Sequence, residues 1–172
     1  MTMPVAHRAG SLDDGAVIPA WRADRLRDDD EIVRWRPVLR VSQAATWAGR
    51  DVDDRWVVGK PGAHVLRAES AQGVIALLPL LDRPVTEVAA ELGTGVSSLP
   101  CHDLGLERVL GAALHRDSSG HWTTRAIAWI DAGFPFAGCR DALIQAASDR
   151  RVPQRARQTA ARILTRNPRS ST

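Results

Sequence analysis

Cys101, His102 and Asp103 stand side by side, and those three residue types are the raw material of nucleophilic catalysis. Such catalysis needs a base beside the nucleophile and a third group that orients the base, all set by tertiary geometry. Consecutive residues point in different directions, so the string is better read as a surface or capping turn before a helix. His115 and His121, with Cys101 or Cys139, have the donor chemistry for zinc, but their spacings match no recognised site. No HExxH, no GxGxxG between strand and helix and no GxxxxGK[ST] is present. Gly59 and Gly62 belong to a hairpin rather than to a phosphate loop. Asp131 and Asp141 read as helix surface, not as an acid–base couple. The expectation is a chain that is not an enzyme and that uses neither cofactor nor metal.

The elements that would position any site centre on residues 55–93. WVVG and HVLRAE are short apolar runs on either side of Lys60-Pro61-Gly62, a strong turn signal. From Ser70 the period changes, and Val74, Ile75, Leu77, Leu78 and Leu81 share one side of a helix. Asp82-Arg83-Pro84 stops that helix, because the residue before a proline resists the α region. Thr86 is placed to cap a second helix carrying Val88, Ala89 and Leu92, which Gly93 ends in the left-handed region. Upstream, residues 32–58 look extended, with Pro37 marking an edge or entry point. Val38–Ala44, Trp56–Gly59 and Val65–Glu69 then form a three-stranded antiparallel sheet that needs helices on one face. A third helix is predicted from Asp103 to Arg116, with Leu106, Val109, Leu110, Ala113 and Leu114 as its stripe.

Three segments follow from this: 1–31, 32–120 and 121–172. The first is expected to be mobile, with Ile18 and Trp21 docked, because RADRLRDDDE is too charged for a core. The second is the α+β, winged-helix-like domain of three strands and three helices. The third is a C-terminal helical extension over Thr123–Ala132, Cys139–Ala147 and Gln154–Thr165, with NPRSST frayed. Its alanine-rich faces would pack against the first domain or against a second copy in a homodimer.

Composition narrows the function classes. The 172 residues are 44% hydrophobic and carry a formal charge of +3. Seven arginines and no acid follow Asp149, so the rest of the chain is net acidic. A basic end suits nucleic acid, an acidic partner face or a solvated helix. Two cysteines are too few for a disulfide scaffold. No apolar stretch spans a membrane and no signal-peptide core opens the chain, which makes the cytoplasm the default.

RPVLRV, WVVGKPGAHVLRAES and AQGVIALLPLLDRPVTEVAAELG together resemble the PqqD-like fold, the RiPP recognition element, over about residues 36–117. Arg83 stands where that family often has glycine. The resemblance implies non-catalytic binding of the leader of a ribosomally synthesised precursor peptide, and its presentation to a modifying enzyme or leader peptidase. It implies that the leader adds as a strand beside His64, Val65, Leu66, Arg67 and Ala68 and leans on Leu106, Val109, Leu110 and Ala113. Arg67 and Arg108 would meet acidic leader side chains. The alternative for the same residues is ordinary core and solvated surface. A winged-helix DNA-binding regulator is the second reading, disfavoured because Glu69, Asp82, Glu87 and Glu91 outweigh Lys60, Arg67 and Arg83 there. A structural subunit of a complex, anchored by some of the six tryptophans, is the third.

Overall fold

Five strands close on themselves beneath a layer of helices. The structure, a computed structural model, describes residues 20–100, 102–115 and 118–167. The strands are β1 (Arg22–Leu26), β2 (Ile32–Arg40), β3 (Trp47–Asp51), β4 (Trp56–Gly59) and β5 (His64–Arg67). They run as an up-and-down meander whose first and last strands also pair. Four antiparallel steps, an even number, leave β1 and β5 pointing the same way, so the closing contact is parallel: Arg25 opposite His64 and Leu26 opposite Val65. A three-stranded winged-helix sheet is therefore the wrong fold class, and the resemblance to the PqqD-like family is overturned by the two extra strands and by barrel closure.

Both unexpected strands are polar where a core strand is usually apolar. In β1 the inward positions are Asp24 and Leu26, and both are buried. Burying Asp24 is tolerable because both of its oxygens are used. Oδ2 accepts from the Trp35 indole at 2.8 Å and Oδ1 from the Gly62 amide at 3.0 Å. One carboxylate thus ties β1 to β2 and to the β4–β5 turn. In β3 the inward Gly49 leaves room for the Trp35 ring, whose edge would lie 2.7 Å from an added Cβ. Trp35 thereby fills the barrel together with Leu26, Val33, Val57 and Val65. Residues 22–26, expected to belong to a loosely docked segment, are an integral stave.

A bulge near Val38 gives β2 two functions. The register with β3 shifts between Pro37 and Leu39. One extra residue inverts the in–out alternation. Val33 and Trp35 consequently point into the barrel, whereas Leu39 and Val41 join a second core outside it. That larger core also takes Ala48, Trp56 and Val58 from the outer face of β3 and β4.

Helices cover this outer face. They are α1 (Ala71–Leu77), α2 (Val85–Glu91), α3 (Leu106–Leu114), α4 (Gly120–Asp131), α5 (Arg140–Ser148) and α6 (Gln154–Arg166). A 3-10 turn, Leu78–Asp82, links α1 to α2. Ser70 caps α1 by accepting from the Gly73 amide, as its type and place require. Pro84, not Thr86, occupies the N-cap of α2. Gly93 adopts φ 66° after α2, and Gly62 adopts φ 82° in the β4–β5 turn. The apolar side chains of α4, α5 and α6 enter the same core as those of α1 to α3, through Ile127, Trp129, Leu143 and Ile163 among others. Each such side chain, fully buried, contributes about 1.5–3 kcal/mol. Ile18, Cys101 and the NPRSST tail after Asn167 lie outside the described residues.

Candidate functional site

The residues that suggested chemistry are dispersed. Cys139 is buried and its thiol hydrogen-bonds the Phe136 carbonyl at 3.5 Å. Burial, and then the nearby Glu107 charge, push that thiol up to about 11, which keeps it protonated and inert at neutral pH. His102 pairs with Glu107 at 3.3 Å, and Asp103 lies 3.9 Å from Arg50. His121 bonds Asp82 at 2.9 Å, and Arg125 reaches the same oxygen at 3.1 Å. Asp131 is taken by Arg162 at 3.0 Å. Among the described residues no group of three His, Cys, Asp or Glu side chains is arranged to hold a metal ion.

The residues expected to receive a peptide are mostly interior. Val65 is buried inside the barrel, Ala68, Leu106, Val109, Leu110 and Ala113 are buried in the helix-covered core, and Leu66 is half-buried against that core. His64 is exposed, but its backbone lies against β1. Val65 is paired on both sides, with Leu26 of β1 and Gly59 of β4. The β5 edge that strand addition would use is thus occupied over His64 and Val65. Arg67 binds the carboxylate of Asp51, which has no exposed side-chain surface. Burial works against the Asp51 charge, but hydrogen bonds from Arg67 and from the Arg55 and Asp53 amides outweigh it and hold the carboxyl below its ordinary value. Arg108 donates to the Glu69 carbonyl. Both arginines are engaged in holding elements together.

An open edge exists elsewhere. β1 accompanies β2 only as far as Arg22 opposite Trp35, so among the described residues the second half of β2 has β3 on one side and no strand on the other. Arg40 is the last residue of that half. Its amide donates to Glu91 Oε1 at 3.0 Å, and its carbonyl accepts from the Arg83 guanidinium. Arg83 and Glu91 are themselves ion-paired. Two side chains, Arg83 just ahead of α2 and Glu91 at its end, therefore occupy the positions that a neighbouring strand's backbone would take. A bare strand edge is a template for association, and this clasp blunts it.

Beside the clasp runs a groove of about 780 Å³ between the β2–β3 turn and the α2 layer. Val41, Trp47 and Pro79 supply its apolar lining; Asp82, Glu87 and Glu91 line it with Arg40 and Arg83. Arg40 reaches the Ser42 and Gln43 carbonyls with its side chain, and Asp82 is shared by His121 and Arg125. Glu87 has no ion-pair partner among the described residues. A cleft of this size, with an aromatic wall and a few charged groups, suits an extended segment better than a compact small molecule. The sequence pointed here only through Pro37, read as an edge marker, and through LLDRP, read as a helix stop. Nothing in residue type announced that Glu91 and Arg83 would meet Arg40.

No helix among the described residues is long and apolar enough to cross a membrane. No family model matches the chain, and neither a curated protein nor a solved structure matches it.

Proposed function

We propose that this protein is a peptide-binding accessory protein that takes an extended segment along the Arg40 edge of β2 and performs no chemistry on it. The leader of a ribosomally synthesised precursor destined for a modifying enzyme or leader peptidase, the class of peptide that only the PqqD-like resemblance implied, is the first to try. The observation that carries the reading is the clasp: the amide and carbonyl of an edge strand residue are held by side chains, next to a groove with room for more chain. The Arg83–Glu91 pair is partly solvated, so exchanging it for a peptide backbone costs on the order of 0–1 kcal/mol. An incoming strand would gain main-chain hydrogen bonds at Arg40 and apolar contact with Trp47 and Pro79. Glu87 would favour a basic side chain on the ligand, which reverses the earlier expectation of an acidic leader.

The test is titration of isotope-labelled protein with leader peptides encoded beside its gene, followed by NMR shift mapping. Shifts concentrated at residues 38–47 and 79–91 are expected, with weaker binding in Trp47→Ala and tighter binding in the clasp-free Arg83→Ala/Glu91→Ala variant. Absence of binding, or shifts that avoid this groove, would refute the reading.

A further inference from the structure

Alternation along β1, β2 and β3 leaves one wall of the barrel outside the helical layer. Arg34 stands opposite Ala23 of β1, and Arg36 opposite Arg50 of β3. The same register, carried one residue beyond Arg22, brings Trp21 against Arg36, and the Arg36 guanidinium lies 5.9 Å from the Trp21 ring centre. Arg50 in turn sits 4.3 Å over the ring of Trp56, its neighbour on β4. The exposed row across β1 and β2 thus reads Trp21, Arg36, and it ends at Arg50, whose ring partner Trp56 is buried under the helices. Below it come Arg34, Arg25 and Ile32, and Val52 follows β3. Among the described residues, three of the five exposed large hydrophobic side chains are gathered here: Trp21 at 47%, Ile32 at 59% and Val52 at 60% exposed.

The charges are unevenly committed. Arg25 pairs with Asp30, and Arg50 with Asp54. Arg34 and Arg36, at the centre, have no carboxylate partner among the described residues. The acidic turns 28–31 and 53–54 both lie at the Ile32 end of the patch and confine a polyanion to the other end, around Trp21 and Arg36.

We infer that this wall binds a short single-stranded stretch of nucleic acid. Unpaired arginines call for an anion, and a half-exposed indole beside guanidinium planes offers faces on which bases stack. An acidic peptide would satisfy the charge but leave those planar faces unused. A duplex hides its base faces from such a platform. The surface lies away from the Arg40 groove and does not depend on peptide binding there.

The experiment is fluorescence anisotropy of end-labelled oligothymidylate and oligouridylate 12-mers with the full chain at two salt concentrations. A poly-glutamate 12-mer and a duplex of equal length serve as competitors. Binding of the single strands is expected, weakened about tenfold by Trp21→Ala. Removing one phosphate contact with Arg36→Gln should reduce the salt slope by about 0.7. Both side chains are exposed, so both variants are expected to fold, and thermal unfolding curves matching the wild type are the check. No binding at low salt, an unchanged affinity in Trp21→Ala, or equal competition by poly-glutamate would overturn the inference.

Discussion

Replacing Asp51 with asparagine is expected to cost about 3–5 kcal/mol, the range for removing one partner of a buried ion pair. The side chain of Asp51 is wholly enclosed at the end of the barrel. It accepts from Arg67, lies 3.3 Å from the Arg55 guanidinium, and receives the Asp53 and Arg55 amides at 2.9 and 2.8 Å. Asparagine keeps the volume and can keep the amide contacts. What it removes is the countercharge of Arg67, whose side chain is only 15% exposed. For a chain of this size the midpoint of thermal unfolding should fall by about 6–20 °C. Because the folded pKa is depressed, the charged carboxylate stabilises the fold fully above its unfolded value. That contribution is lost as pH falls from 3.8 through the lower folded value. Urea unfolding at a series of pH values should therefore show a wild-type advantage that is constant near neutrality and shrinks on acidification. A cycle with Arg67→Met should show strong coupling, since the two residues touch. An Asp51→Asn variant within about 1 kcal/mol of wild type at neutral pH, below the buried-pair range, would refute the argument, as would additive effects in the cycle.

Two further outcomes follow from the same structure. Asp24→Ala, which orphans the Trp35 indole and the Gly62 amide, should destabilise by about 1–3 kcal/mol and speed hydrogen exchange at Arg27, whose amide joins β1 to the Val65 carbonyl. In a Cys101→Ser background, Cys139 should resist a thiol reagent at neutral pH and react fully once urea unfolds the chain, because its thiol is raised to about 11; rapid labelling of the native protein would contradict this.

The parts legible in the sequence were those where local chemistry and tertiary role agree. Trp56–Gly59 flanks a Pro61–Gly62 turn, Ser70 caps a helix, and the α5 and α6 patterns fall within a residue or so of their expected ends. The barrel was hidden by residues whose local and tertiary signals conflict. RADRL offers one apolar inward residue, and its other inward position is an aspartate satisfied by partners eleven and 38 residues away. WAGRD lies in a stretch that reads as extended but suggests no strand of its own, because Gly49 carries no side chain to mark a face, yet its emptiness is what admits Trp35. The bulge at Val38 inverts the phase of β2, so a uniform period-2 reading assigns half its side chains to the wrong face. Of the candidate site, Pro37 and Arg83-Pro84 were visible, but the meeting of Arg40 with Glu91 spans 51 residues and leaves no local trace.

That phase inversion also bears on how the chain divides. The first half of β2 is a stave of the barrel, and the second half is a floor board under the helices. A cut drawn between strands and helices, at about Ser70, would strand Leu39 and Val41 without the residues that cover them. The barrel is therefore not a portable cassette. Whatever binds along the far end of β2 presses on a beam that both halves of the molecule share.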